Sequence, residues 1–397
     1  MYRVTLKPSF IKYFLILSMI FITLTAGTLT VFAEDSDPTK NTDKKEEVKE
    51  EESIIGENEM RDLDHFLRST FPNERIQFAD LVEHLIRGEM GQTADLLWGY
   101  LKDLLFYVLR INKKSLVYLT LVVMLAALFS NFSNVFMNDQ IARTGFYIVY
   151  IFLISMCLQT FRTTAGTVAD SLAKLNRFMQ VLGPIYFMGM AAAGRHLASV
   201  AFHNVILLVI YLAENVIGKI LLPLIHIFMM IRVLNYLSDE EYLTKLSEFI
   251  QLVTEWSLKT MISLVTGIGL IQGLLSPSID LVKKSALAKG VQMIPGVGGA
   301  IGGMTEVVLG TAVLIKNGIG VAGALILILI CLIPLGNMAV LALAYKGFAA
   351  LIQPISDKRI VEAVNSIALG CMMLMKVIFT TAVLFLITIA IAAFATN

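Results

Sequence analysis

The sequence predicts an all-α, polytopic helical membrane protein, on three observations. Of its 397 residues, 56% are hydrophobic and only 16% charged, where soluble domains carry roughly 25% charge. Mean hydropathy is +0.74. Long apolar runs recur beyond residue 115, and the clearest, 115–137 and 144–161, are each about long enough for a hydrocarbon core of roughly 30 Å. The net charge of +1 gives no reason to expect a nucleic-acid partner. Cys157, Cys331 and Cys371 all fall in apolar stretches, an odd count that suits buried packing groups and not a disulfide frame.

The chain opens with Arg3, Lys7 and Lys12 ahead of an apolar run, followed by small residues and Val31-Phe32-Ala33. Residues 1–33 therefore read as a secretory signal peptide, with an uncleaved anchor as the rival reading. Either way the next segment is expected outside the cytoplasm. Residues 34–59 hold eleven acids against four lysines and hardly an apolar residue. Such a stretch cannot bury enough surface to offset its ordering entropy, so it reads as a disordered acidic linker. Residues 60–112 turn helical in pattern. Leu63, Phe66 and Leu67 begin one apolar stripe, and Phe78, Leu81, Val82, Leu85 and Ile86 make a second at i, i+3, i+4, i+7 and i+8. A third runs through Leu97, Leu101, Leu104, Leu105 and Val108. These amphipathic helices are expected to rest on the membrane surface or on partner subunits. Residues 113–162 then read as a transmembrane helical hairpin, split by a turn holding Asp139 and Arg143.

Beyond it the chain shows a weak internal repeat. Pro184 and Pro223 lie 39 apart (223 − 184), as do Pro295 and Pro334 (334 − 295), and Ser238-Asp239 and Ser356-Asp357 each open a later stretch. This suggests two duplicated membrane units, 163–275 and 276–397, with the four prolines as helix breaks. Candidate helices fall at about 181–194, 197–218, 220–237, 260–275, 307–316, 319–345 and 377–395. The pieces 181–194 and 307–316 are too short to span and read as half-helices. Tyr242, Leu246, Phe249, Ile250, Val253 and Trp256 share a face, so 239–256 reads as a helix lying in the interface. An exported N-terminus places Arg162, Lys174 and Arg177 outside after two spans, against the positive-inside tendency. Either one span is a half-helix, or these residues lie in a packed interface. Five to seven crossings fit.

The most distinctive stretch runs from Lys289 to Lys316. There Gly296, Gly298, Gly299, Gly302 and Gly303 follow Pro295 directly. It is no dinucleotide fingerprint, because Ile301 stands where the third glycine belongs. The pairs Gly298/Gly302 and Gly299/Gly303 fit the small-xxx-small spacing that lets transmembrane helices approach, so these glycines are expected to pack helices. Glu214, Glu306 and Lys376 are the candidate intramembrane polar residues, since charge at membrane depth is costly and faces protein or water. Glu214 and Lys219, five apart, are poorly spaced to pair on one α-helix. Lys219, Lys316, Lys346 and Lys376 also fit helix ends whose side chains snorkel to the interface. His196, His203 and His226 are scattered, so no metal or cofactor is expected. The chain has no H-E-x-x-H and no G-x-S-x-G, and Glu240-Glu241 suits the acidic first turn of a capped helix, so no enzyme is expected and no catalytic residue is assigned.

The signal peptide, acidic linker, amphipathic region and hairpin, followed by GVQMIPGVGGAIGGMTEVVLGTAVLIKNGIG at 290–320, together resemble the stage III sporulation protein AE family of endospore-forming bacteria. The resemblance implies a multi-pass subunit of a channel-like complex linking mother cell and forespore, in the mother-cell-derived membrane around the forespore. It implies as partners an ATPase, ring-forming subunits, small polytopic subunits and a forespore-side ring protein. The competing class is an autonomous carrier with a substrate site between two repeated halves. The exported amphipathic segment favours the complex subunit, because a stand-alone carrier has little need of it.

Overall fold

A computed structural model describes residues 139–193, 196–236, 242–292, 298–354 and 357–394, with positions 63, 64, 67 and 82. The expected signal peptide, the acidic linker, the first span at 115–137, Pro295 and Gly296 lie outside the described residues. Among those described, every regular element is helical: α1 (Asp139–Ala192), α2 (His196–Tyr211), a π-helical segment (Leu212–Leu221), α3 (Leu222–Asn235), α4 (Thr244–Gln292), α5 (Gly298–Ile352) and α6 (Lys358–Phe394).

Helix α1 is longer than its apolar run because a second pattern carries it onward. Phe161, Ala165, Val168, Leu172, Leu175, Met179, Leu182 and Tyr186 are all buried, in steps of four and three. That spacing is a coiled-coil seam, and it holds a helix together across charged residues such as Arg162 and Lys174. The expected turn at Asp139–Arg143 is therefore a correction: both residues belong to α1. The expected half-helices 181–194 and 307–316 are likewise corrected, being stretches of the 54-residue α1 and the 55-residue α5.

Side-chain contacts set the direction of each helix. Tyr186 of α1 lies against Gly320 of α5, Leu182 against Gly323, and Thr160 is hydrogen-bonded to Tyr345, so α1 and α5 run antiparallel in constant register. Helices α2 and α3 also run antiparallel to α1, through Tyr186–Phe202, Gly183–Ile206 and Phe161–His226. Helix α6 runs parallel to α4, pairing Lys376 with Glu255 and Ile391 with Gly269. It touches every other helix. Ala363, Ala368, Met373, Leu374, Val377 and Thr380 are buried and together cover about two-thirds of its circumference, as expected of a helix that sits at the centre.

Glycine 370 shows how close that packing is. A Cβ there would meet Met229 of α3 and come within 2.7 Å of the Phe161 ring of α1, so side chains of two neighbouring helices fill the space that the glycine leaves. Leu63 and Leu67 are helical and, with Val82, are buried in the same hydrophobic cluster as these helices. At these positions the apolar stripes are packed into the chain itself, not laid on a membrane or a partner.

Three described stretches are long and apolar enough to cross a membrane: Phe202–Asn235, Val313–Ile352 and Lys358–Ala393. Their outer faces carry exposed Leu207, Ile227, Met230 and Leu343, the surface that lipid would cover.

Candidate functional site

The four prolines differ in their settings. Pro184 lies inside α1 and Pro334 inside α5, both in unbroken helix, which corrects the reading of these two as breaks. Pro334 is buried among neighbouring helices, a setting that tolerates proline at membrane depth, whereas Pro184 is exposed on α1. Pro223 does mark a change of structure. It follows the π-helical segment at the start of α3, and the Leu222 amide donates to the Ile217 carbonyl, five residues back. A proline cannot donate to the carbonyl four residues earlier and its ring crowds that carbonyl. The wider π turn just before it relieves the crowding.

The π segment also rearranges its polar residues. Lys219 Nζ donates to Asn215 Oδ1 at 2.8 Å, and Asn215 Nδ2 donates to the Tyr211 carbonyl at 3.2 Å. Glu214 and Lys219 are exposed, so neither makes the interior contact expected of Glu214. π segments are rare and concentrate at functional sites, and this one lies halfway along a helix that crosses the bundle.

The contacts at the two ends of α1 place its middle on the same level. Residues 161–186 run alongside 202–226 of α2–α3 and 320–345 of α5. Asp170 and Lys174 therefore stand level with Glu214 and Lys219. Lys376 sits close to this level too, near the middle of α6. Its Nζ donates to Glu255 Oε1 at 2.7 Å, and Gln251 Nε2 donates to the same carboxylate oxygen at 3.0 Å. Lys376 thus has a partner on another helix and does not simply snorkel from a helix end. Glu255 had no signal in the sequence beyond its place on an amphipathic helix.

Helix α4 meets the bundle through a different face from the one its apolar residues suggest. Ser247, Ile250, Thr254, Leu258, Met261 and Val265 are buried, whereas Tyr242, Leu246, Phe249, Leu252 and Trp256 are exposed. The interfacial helix expected at 239–256 is the first part of the 49-residue α4. Its start is fixed by Asn235, whose Oδ1 accepts from the Leu243 amide at 2.6 Å and whose Nδ2 donates to Thr244 Oγ1 at 2.8 Å.

Other sequence candidates fall outside this belt. Lys316 is fully buried where α5 passes Gly189 of α1. His203 packs edge-on against Phe187, and His226 Nδ1 lies 2.9 Å from the Leu222 carbonyl. Among the described residues no three His, Cys, Asp or Glu side chains gather as a metal site requires. Gly298, Gly299, Gly302, Gly303 and Glu306 lie in the first turns of α5, with their side-chain surroundings outside the described residues.

The basic residues of α1 do not lie in an interface packed within the described residues. Arg162, Lys174 and Arg177 are exposed, with Thr163, Thr167 and Asp170, on the side of α1 opposite the seam. A charged side chain at the bilayer centre costs roughly 2.5–3.5 kcal/mol on insertion scales. Among the described residues, these four charges share one face of α1 level with the most apolar part of α5.

The model of the family described as stage III sporulation protein AE matches residues 76–396. A relative from Bacillus subtilis (strain 168), named stage III sporulation protein AE, is 22% identical over 294 residues, covering 74% of each chain. No solved structure matches.

Proposed function

Since the chain belongs to the stage III sporulation protein AE family, we propose that it serves spore formation as a non-enzymatic, multi-pass subunit of a channel or secretion-like complex between mother cell and forespore. Its place in this reading is the mother-cell-derived membrane surrounding the forespore, with the N-terminal region extracytoplasmic. Its partners are an ATPase, ring-forming subunits and small polytopic subunits of the same complex.

The observation that carries the reading is the family match over four-fifths of the chain, joined to three stretches apolar enough to span a membrane, one of them the buried central α6. Membership in a sporulation family makes the chain a sporulation membrane protein. The channel role rests on the polar belt, which a purely structural anchor has no reason to keep at membrane depth. The same belt, with its π segment, is what favours the second reading, a carrier with its own substrate site.

Affinity purification of the tagged chain from sporulating cells, with spore counts in its absence, tests the proposal. Co-purified ring-forming and polytopic subunits and a loss of heat-resistant spores are expected. A chain that purifies alone and is dispensable for spores would overturn it. In the carrier reading, Glu214→Gln abolishes solute uptake while the chain stays inserted. In the subunit reading it leaves partner retention and spore yield near normal.

A further inference from the structure

We infer that the polar face of α1 lines a water-filled path through the membrane that favours anionic solutes. The inference rests on the channel reading above and specifies which surface of the chain the solute would meet. Arg162, Thr163, Thr167, Asp170, Lys174 and Arg177 share this exposed face, opposite the buried seam. From Arg162 to Arg177 the face rises about 22 Å, at 1.5 Å per residue, most of the thickness of a hydrocarbon core of about 30 Å.

Ionised side chains at membrane depth face water or protein and not lipid, and the described residues leave this face uncovered. Thr163 and Thr167 donate their hydroxyls to the carbonyls of Gln159 and Thr163, both at 3.1 Å, and Ser171 donates to Thr167 at 2.7 Å. These intrahelical bonds satisfy the hydroxyls whether lipid or water lies outside, so the charges carry the argument. Gly166 lies on the same stretch, and a Cβ there would meet nothing within 4 Å, unlike the glycines at helix contacts. The flanking exposed residues Leu207, Ile227 and Leu343 are apolar, while exposed Glu214 and Lys219 of the π segment extend the polar surface at the same level and add no net charge. Arg162, Lys174 and Arg177 against Asp170 leave that face net positive, which raises the local concentration of anions.

Scanning cysteine accessibility in native membranes tests this. Cys157, Cys331 and Cys371 are buried, so introduced thiols dominate the labelling. Thr163→Cys, Thr167→Cys and Lys174→Cys are expected to react with a membrane-impermeant thiosulfonate about tenfold faster or more than Leu207→Cys, Ile227→Cys and Leu343→Cys, because a thiolate forms in water and not in lipid. A sulfonate-bearing reagent should outpace its trimethylammonium counterpart at positions 163 and 167. Equal labelling of the two sets, or a face as inert as position 343, overturns the path. A faster cationic reagent overturns the anion preference. Gly166→Trp, which meets no clash within the chain, should slow labelling at 163 and 167 together. Spore counts on the same strains separate the two claims. A chain dispensable for spores sinks the functional reading whatever the labelling, and a lipid-like pattern in an essential chain sinks this inference alone.

Discussion

Replacing Gly370 by alanine probes the packing around α6 with a built-in control. The new Cβ would meet the Met229 sulfur and stand 2.7 Å from Phe161 Cε2 and 2.9 Å from Met229 Cγ. Overpacking of this kind costs about 1–3 kcal/mol, while replacing a helical glycine by alanine returns about 0.8–1.0 kcal/mol of propensity. The net expectation is a loss of about 0–2 kcal/mol. Gly347→Ala gains the same propensity, but its Cβ meets nothing within 4 Å, so that variant should be more stable than the parent by about 0.5–1 kcal/mol. The difference between the two isolates the steric effect at about 1–3 kcal/mol. Thermal unfolding of the detergent-solubilised chain, followed by size-exclusion fluorescence, reads the order directly: Gly347→Ala above the parent, Gly370→Ala at or below it. Met229→Ala should cost less in the Gly370→Ala background than alone, because it removes the atoms that clash. The reasoning is refuted if Gly370→Ala is the more stable variant, or if the Met229 substitution is strictly additive with it.

Four other outcomes are expected. Glu255→Gln leaves Lys376 without its carboxylate at membrane depth. It should lower the melting temperature more than the double variant Glu255→Gln/Lys376→Met, with a coupling on the order of 0.5–3 kcal/mol in a double-mutant cycle. Asn235→Ala removes the acceptor of the Leu243 amide, which should cost about 1 kcal/mol and fray the start of α4, read by faster hydrogen exchange at 243–247. Pro223→Ala restores a donor for the Lys219 carbonyl and should convert the π segment toward α-helix, changing the reactivity of a cysteine at position 214; an unchanged rate would argue that the proline does not set the π segment. Gly323→Leu forces a side chain into Leu182, whose Cδ2 lies 2.7 Å from the position of a Cβ, and should part α1 from α5, measured as lost membrane expression.

The all-helical, lipid-solvated class was legible because composition reports it without any structure. Element boundaries were harder to read. Arg162 looked like the end of a span, yet the four-three spacing from Phe161 to Tyr186 continues through it, and a search for seam periodicity beside apolarity would have found the long helix. Pro184 and Pro334 read as breaks because local stereochemistry argues that way, yet both lie inside continuous helices, Pro334 buried among its neighbours and Pro184 exposed. The close approaches at Gly269, Gly320, Gly323 and Gly370 left no local signal, because each partner is far away in sequence. The polar belt was half visible. Lys376 stood out as a lone charge, and its partner Glu255 did not, because the pairing is set by the parallel register of α4 and α6, 121 residues apart in sequence. The face of α4 toward the bundle was hidden for a related reason: in lipid, apolar residues face outward and hydroxyls can face protein, which inverts the rule that holds in water.

That register supports the whole arrangement, and intramolecular cross-linking in native membranes tests it most directly. Paired cysteines at 255 and 376, and at 269 and 391, should be joined within one chain by a short bifunctional thiol reagent. A pair at 255 and 391 should not, since the two sites stand about 22 Å apart along the helices. Cross-linking of 255 to 391, or failure of both matched pairs in a stably inserted chain, would contradict a bundle built around α6.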